Sequence, residues 1–287
     1  MQEKKRGRTH SRWLLPAALV LAGAAWFENF TLSTSTVTAA CTALPEAFSG
    51  LRIVQISDLH GRRFDAESRY LLELVRLQSP DLIALTGDLA DEFTDFSMLP
   101  PLLDGLTALA PTFYVTGNHE WVLSREKREA LFSMLDAAGV VRLQNEYRLL
   151  KKGQASIVLA GVDDPNGPYD QKRPAQLVRE IRQSWGRDAY ILMLSHRNDE
   201  LDLWANMGVQ TVLCGHGHGG IVRLPFVGAV FGTHLDLFPD YTAGLYRKGQ
   251  TSMIVSRGLG GSRKLPLRIG NRPEIVTVIL KAESGKV

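Results

Sequence analysis

Five short polar blocks, each placed directly after an apolar run, constrain this chain more than any other feature of it. The runs Leu51–Ser57, Asp81–Thr86, Thr112–Thr116, Tyr190–Leu194 and Val209–Leu213 read as strands. Behind them come Ser57-Asp58-Leu59-His60, Gly87-Asp88-Leu89-Ala90-Asp91, Gly117-Asn118-His119-Glu120, Ser195-His196 and Gly215-His216-Gly217-His218-Gly219-Gly220. Of the seven histidines in the chain, only His10 and His234 lie outside these blocks.

Helical patterns separate the strands. Glu67–Leu77 carries Tyr70, Leu71, Leu74, Val75 and Leu77 at helical spacing and stops before Pro80. Leu99–Ala108 and Ala175–Gln183 read as helices, and Ser124 caps another that runs through Ala138 and closes at Gly139. A further strand is expected at Ile157–Gly161, with a β-rich tail near Leu245, Met253–Ser256 and Ile275–Leu280. Such alternation predicts an α/β fold with a substantial parallel sheet. Ligands of such sheets bind beyond the carboxyl ends of the strands, where these blocks fall.

Imidazoles, carboxylates and an amide oxygen, with no thiolate, suit Mn, Fe or Zn. Two such ions roughly 3.5–4 Å apart can clamp the attacking and leaving oxygens of a phosphoryl displacement. Glycines let the backbone turn sharply around an ion. Each block alone has an ordinary use. Asp58, Asp88 or Asp91 could cap a helix or serve a turn, Asn118 could take a left-handed turn, and His196 could be a satisfied core residue. The ordered set would require five such coincidences.

The set D-x-H, G-D-x-x-D, G-N-H-E, an isolated His and G-H-x-H resembles the calcineurin-like metallophosphoesterase superfamily over Leu51 to about Gly220. The tail, with Ser256-Arg257-Gly258-Leu259-Gly260 and Pro273-Glu274-Ile275, resembles its small membrane-anchored bacterial branch. That branch includes enzymes similar to UDP-2,3-diacylglucosamine pyrophosphatases and broad phosphodiesterases. The resemblance implies a four-layer α/β/β/α sandwich and two divalent metals, with Mn favoured. It implies that Asp58, His60 and His218 bind one ion, that Asn118, His196 and His216 bind the other, and that Asp88 bridges them. A metal-bound hydroxide would then attack phosphorus. His119 would stabilise the transition state or protonate the leaving oxygen, and Asp91 could orient His119. Gly217 stands where relatives often carry Thr, between two retained histidines.

The first residues add a membrane expectation. Lys4, Lys5, Arg6, Arg8 and Arg12 precede an uncharged stretch, Trp13–Phe27. As a helix it would be roughly 22 Å long, short for a bilayer core of about 30 Å. We read residues 1–12 as a basic cytoplasmic tail, 13–28 as a signal anchor or a signal peptide, and 29–287 as the metallophosphoesterase domain. Ala22-Gly23-Ala24 would be the cleavage site of the peptide alternative. By the positive-inside rule, the catalytic domain would be extracytoplasmic. Leu32–Ala43 reads as a strand carrying Cys41.

Charge narrows the partners. Residues 1–32 hold five of the 33 basic residues and two of the 30 acidic ones, so the remainder is formally neutral. Neutrality argues against a nucleic-acid substrate. The two cysteines, Cys41 and Cys214, cannot build a disulfide framework and read as buried small hydrophobes. Leu224, Phe226, Phe231, Leu235, Leu237 and Phe238 read mostly as core strand residues, some of which could form a greasy lip beside the site. Arg257, Arg263, Lys264 and Arg268 could meet a phosphate or form a solvated basic loop. Trp121 reads as core, with stacking on a base or sugar as its other use. The expected activity is hydrolysis of a phosphodiester or pyrophosphate bond, in a lipid-linked or cell-envelope substrate. The alternatives are a phosphomonoesterase or protein phosphatase, and a non-catalytic metal-dependent phosphate-binding protein.

Overall fold

The computed structural model describes residues 11–233, 235–261 and 268–283, apart from the side chains of residues 11–14, 17 and 21. Its first half runs α1 (Ser11–Phe30), β1 (Ser33–Cys41), β2 (Arg52–Ile56), α2 (Arg69–Leu77), β3 (Leu82–Thr86), α3 (Leu99–Leu109), β4 (Thr112–Val115), α4 (Asn118–Val122), α5 (Arg125–Ala137) and β5 (Val141–Arg142). Its second half runs β6 (Glu146–Lys152), β7 (Ala155–Gly161), α6 (Pro174–Trp185), β8 (Ile191–Leu194), α7 (Leu201–Asn206), β9 (Thr211–Cys214), β10 (Val222–Leu224), β11 (Gly228–Phe231), β12 (Gly244–Lys248), β13 (Thr251–Val255) and β14 (Glu274–Ala282).

Two six-stranded sheets form, in the orders β1-β14-β2-β3-β4-β5 and β12-β13-β9-β8-β7-β6. Strands β2, β3, β4 and β5 are parallel, as are β7, β8, β9 and β13. Their alternating side chains face two different cores. Ile53, Ala84 and Phe113 point between the sheets, against Leu159, Leu192, Leu213 and Ile254 of the second sheet. Val54, Ile83, Leu85 and Tyr114 point outwards under α2, α3 and α5, where Leu71, Val75, Leu102, Leu106, Leu131 and Leu135 cover them. Val158, Met193, Val212 and Met253 point the other way, under Leu177, Ile181 and Trp204 of α6 and α7. The layers are therefore helix, sheet, sheet, helix. Full burial on both faces explains why these strands are short continuous apolar runs. At roughly 1.5–3 kcal/mol for each buried large aliphatic side chain, these three cores dominate the stability.

The tail closes the first sheet. Strand β14 runs antiparallel to β2 and parallel to β1, with Ser33 opposite Glu274. Exposure alternates along the edge strand β1, which carries Cys41 as expected. Cys41 and Cys214 are both free and buried. The strand expected at Ile157–Gly161 is β7, whereas short β5 and its hairpin partner β6 have no counterpart in the sequence reading. Strand β6 is largely exposed, so no apolar run marks it.

Three expectations need correction. Among the described residues, no helix is long and apolar enough to cross a membrane. The helix expected over 13–28 is present within α1. However, its apolar stretch ends at Glu28, and buried Asn29 is bonded to the backbone of Arg268, with Arg272 over the Phe27 ring. The second concerns Leu224, Phe226, Phe231, Leu235, Leu237 and Phe238, which are exposed rather than core. They lie on and just after the two-stranded β10–β11 ribbon, which belongs to neither large sheet. The third concerns the basic loop. Arg257 pairs with Glu274 at 3.0 Å and Arg268 is buried, so neither belongs to a solvated loop. Arg263, Lys264, His10 and His234 lie outside the described residues.

Candidate metal centre

All five blocks meet at the carboxyl ends of the parallel strands, across the junction of the two sheets. Strands β2, β3 and β4 deliver Asp58, Asp88 and Asn118, while β8 and β9 deliver His196 and His216. Gln55 stitches the sheets together beneath the site, donating to Thr86 Oγ1 at 3.0 Å and to the Cys214 carbonyl at 2.8 Å.

Two groups of side chains could each hold a metal ion. One is Asp58, His60, Asp88 and His218; the other is Asp88, His196 and His216. Within each group the donor atoms lie within 4.8 Å of one another, and Asp88 belongs to both. In the second group the His196 Nδ1–H donates to the Thr86 carbonyl at 2.8 Å, since a carbonyl can only accept. That bond turns the Nε2 lone pair inward, as partners of metal-ligating imidazoles commonly do. Asp88 Oδ2, Asn118 Oδ1 and His216 Nδ1 each lie 3.2 Å from it. Four nitrogen and oxygen donor atoms converging in this way fit a cation. In the first group, both ring nitrogens of His60 and Nδ1 of His218 lack a hydrogen-bond partner although buried. The donor set is imidazole, carboxylate and amide with no sulfur, which fits Mn, Fe or Zn.

The backbone is bent to make this cluster. Asp58, His60, Asp88, His216 and His218 all have φ between +48° and +66°. Each such non-glycine residue costs on the order of 1–3 kcal/mol, and strain of this kind collects at functional sites. Two glycines make room for the carboxylates. A Cβ on Gly117 would strike Asp88 Oδ1, and one on Gly215 would strike Ser57 Oγ and Asp58 Oδ2.

The electrostatics favour a cation as well. Burial alone would raise the Asp88 carboxyl, but His196, His60 and His119 hold it far below the usual carboxylate range. Burial pushes His216 down to about 3 and His218 down to about 4, which keeps their lone pairs free of protons. His196 is pushed up to about 10, because Asp88 and Asp58 outweigh its burial. In the metal-free protein its proton stands in for part of a cation's charge.

His119 stands outside both groups. Its backbone N–H donates to Asp88 Oδ1 at 2.8 Å, and its ring lies edge-on to His60 at 4.7 Å between centroids. Burial lowers its pKa. Asp91 lies with Oδ2 3.5 Å from His60 Nδ1, an electrostatic contact longer than a good hydrogen bond. Its negative charge also acts on His119. Trp121, half-buried, donates from Nε1 to Thr116 Oγ1 at 2.9 Å and lies under Arg128.

Sequence reasoning assigned no role to Glu120, Asp164 or Arg197. The fully buried Glu120 carboxylate accepts backbone N–H groups from Asp88 (3.0 Å), Leu89 (2.7 Å), Ala90 (3.3 Å) and Gly117 (2.7 Å). It ties together the loops after β3 and β4. A signal was present, because a Glu three residues after the helix cap commonly reaches back to the cap N–H. Arg197 lies against both His216 and Asp164. Only its place directly after His196 hinted at that.

Comparison with known proteins matches the calcineurin-like phosphoesterase family to residues 51–220. The chain is 30% identical to the uncharacterized metallophosphoesterase YkuE of Bacillus subtilis, over 90% of this chain and 89% of that protein. It is 31% identical to phosphodiesterase YaeI of Escherichia coli, over 80% of this chain and 82% of that protein. The crystal structure of TT1561 of Thermus thermophilus aligns at a TM-score of 0.47 and 14% identity, covering 73% of this chain and 90% of that one.

Proposed function

The chain belongs to the calcineurin-like phosphoesterase family and is a hydrolase of phosphoester bonds, and on that premise we propose that it cleaves a phosphodiester or pyrophosphate bond in an amphiphilic, lipid-linked substrate. The observation that carries the reading is the pair of donor groups sharing Asp88. Asp58, His60 and His218 would hold one divalent cation, Asn118, His196 and His216 the other, and Asp88 both. Bound there, the cations supply Lewis acidity and lower the pKa of water towards neutrality. The protein's own contribution is positional. The Thr86 carbonyl fixes the His196 tautomer, and Glu120 fixes the loop that presents Asp88. His119, beside the cluster and outside both donor groups, offers an imidazole to the phosphoryl or leaving oxygen. Asp91 acts through His60 and by its charge on His119.

A diester is favoured over a monoester by the likeness to a protein named a phosphodiesterase. The amphiphilic part rests on the exposed apolar residues after the last metal block. A cleft of about 340 Å³ is lined by His216, Gly232, Thr233 and Asp236, and Leu224, Phe226, Val227, Leu235, Leu237 and Phe238 are exposed on the same segment. That volume suits a small-molecule head group, and exposed apolar side chains on the same segment suit its tail. We place the reaction outside the cytoplasmic membrane on the signal-peptide alternative, in which basic residues before the short apolar stretch Trp13–Phe27 mark a chain for export and no membrane-spanning helix is required. A reporter fused at the C-terminus tests that placement.

The test of the activity uses the full chain, stripped and refilled with Mn. Turnover of bis(4-nitrophenyl) phosphate is compared with that of 4-nitrophenyl phosphate, and turnover of a phospholipid diester in mixed micelles with that of its water-soluble head-group analogue. The expected result is a preference for the diester and for the lipid. A monoester preference would make the protein a phosphatase, and indifference to the lipid would remove the amphiphilic part of the reading.

A further inference from the structure

The last ligand block is held from behind by the tail of the chain. His218, Gly219 and Gly220 take φ of +49°, +72° and +80°, three left-handed residues in succession. The glycines adopt such backbone without strain, but His218 persists in it only where its surroundings over-determine it. The carbonyls of this turn belong to no helix or strand ladder and need donors from elsewhere. Asn271 supplies two of them. Its Nδ2 donates to the His218 carbonyl at 2.8 Å and to the Gly220 carbonyl at 2.6 Å. Both partners can only accept, so the amide nitrogen is the atom that faces them. Arg223 Nη1 meets the carbonyl between, that of Gly219, at 2.9 Å.

Asn271 is wholly buried, and among the described residues its Oδ1 has no hydrogen-bond partner. A buried acceptor left open is costly, so what this side chain offers the fold is its two N–H groups. Oδ1 packs on Gly219, where a Cβ would strike it. Asn271 is itself fixed. The Ile269 N–H donates to the Ile221 carbonyl at 3.1 Å and the Arg223 N–H to the Ile269 carbonyl at 2.8 Å, so its segment runs alongside β10. Arg268 Nη1 donates to the Asn271 carbonyl at 3.3 Å and, more loosely, to that of His218 at 3.4 Å. The same tail supports Asp58, whose carbonyl accepts the Gly260 N–H at 2.6 Å. Two of the four members of the first donor group, Asp58 and His218, thus have their main chain held by the tail. In the second group, His196 is held by the Thr86 carbonyl and Asp88 by Glu120, anchors far from the tail in sequence.

Resting on the two-cation reading and refining it, we propose that Asn271 is a positioning residue for the metal centre, whose amide sets the left-handed turn that presents His218 and thereby the affinity of the cation site built from Asp58, His60 and His218. The two sites are then unequal in origin. One is carried by the strand ends of the sheets, and the other is completed only when the tail closes over the last ligand block. Asn271 touches neither cation nor substrate and acts through His218.

Metal binding, rather than turnover, tests this. The full chain is stripped of metal and titrated with Mn by calorimetry, with circular dichroism to show that each variant is folded. The wild type should bind two ions. Asn271→Asp keeps the shape of the side chain and loses both N–H donors. One of its two dissociation constants should rise roughly 10–100-fold, as when an outer partner of a ligand is lost, while the other stays close to the wild-type value. Asn271→Ser, which can still donate once, should lose less at the same site, and it decides alone should Asn271→Asp not fold. In a His218→Ala background, either substitution should weaken Mn binding no further, because the ligand it presents is gone. A merely structural role would instead weaken both sites alike, or act undiminished in that background, and either result overturns the proposal. So do wild-type affinities in folded Asn271 variants. A wild type that binds fewer than two ions marks a different failure, that of the two-cation reading itself.

Discussion

Glu120 Oε2 accepts the backbone N–H of Asp88 at 3.0 Å, so the residue shared by both donor groups is presented by a carboxylate that belongs to neither. The same carboxylate accepts three more backbone N–H groups, from Leu89, Ala90 and Gly117. Burial, with the nearby Asp88 charge, nonetheless pushes Glu120 up to about 7. The left-handed conformation of Asp88 is thus held in place from the loop that carries Asn118 and His119.

Replacing Glu120 with Ala leaves those buried donors without an acceptor. Each orphaned group costs about 1–3 kcal/mol, so the metal-free chain should lose about 3 kcal/mol or more. Glu120→Gln should lose less, since its amide oxygen can still accept. Urea unfolding of the metal-free protein measures both, and unchanged midpoints would show that the loops hold themselves.

Asp91 and His119 should separate by what they affect. Asp91→Asn weakens the electrostatic support of His60, and changes of this kind cost roughly 10–100-fold in metal affinity or activity. His119→Ala should leave metal content intact and lower kcat by roughly 10²–10⁴-fold, the usual range for a positioned acid or base. Metal counting beside steady-state kinetics distinguishes them. Loss of metal in His119→Ala would make it a ligand.

Arg268 links α1 to the metal centre. Its guanidinium donates to the carbonyls of His218, Asn271, Arg257 and Gly260, and its backbone is bonded to the Asn29 side chain. Burial lowers it to about 9, which leaves it charged at neutral pH. Arg268→Met should cost at least about 2 kcal/mol through the carbonyls it abandons. It should also weaken the cation site that contains His218. Thermal unfolding and Mn titration read the two effects, and a full-affinity, fully stable variant would refute the link.

Asp65 supplies a pH dependence away from the metals. Its carboxylate accepts the backbone N–H groups of Glu67, Arg69 and Tyr70 at the start of α2, a helix whose own cap, Ser68, makes no side-chain bond. Slight burial opposes ionisation, but these bonds hold the folded carboxyl below 3.8. The stabilisation is therefore complete above that value and is lost as pH falls through the folded one. Asp65→Ala should cost about 1 kcal/mol at pH 7. The gap between wild type and variant should close below about pH 3.8 in urea melts. A gap independent of pH would mean that the charge plays no part.

The strands and helices that carry the site were legible because their burial on fixed faces leaves a period in the sequence. Leu71 and Val75 under the first sheet and Leu177 and Ile181 under the second are examples. The candidate ligands that the fold brings together were legible because five blocks occur in one order. What escaped depends on contacts that no local pattern encodes. Asp164 and Arg197 are 33 residues apart, and Asn29 and Arg268 are 239 apart. Leu224, Phe226 and Phe238 belong to a set read mostly as core, with an apolar lip beside the site as its other use, because apolar composition says nothing about whether a partner layer exists to cover them. The apolar stretch before Glu28 was long enough for a helix, yet Asn29 ties its end to the fold. The left-handed ligands were equally hidden, since only glycine announces such backbone in a sequence.

The measurement that bears most directly on the two-cation account is a metal count joined to diester turnover, in wild type and Asp88→Asn. The wild-type chain refilled with Mn should hold two ions and hydrolyse bis(4-nitrophenyl) phosphate. Asp88→Asn should lose at least one ion and at least roughly 10³-fold in turnover, as expected when a two-metal clamp is broken. Turnover that survives in Asp88→Asn with its metal content reduced would contradict the account.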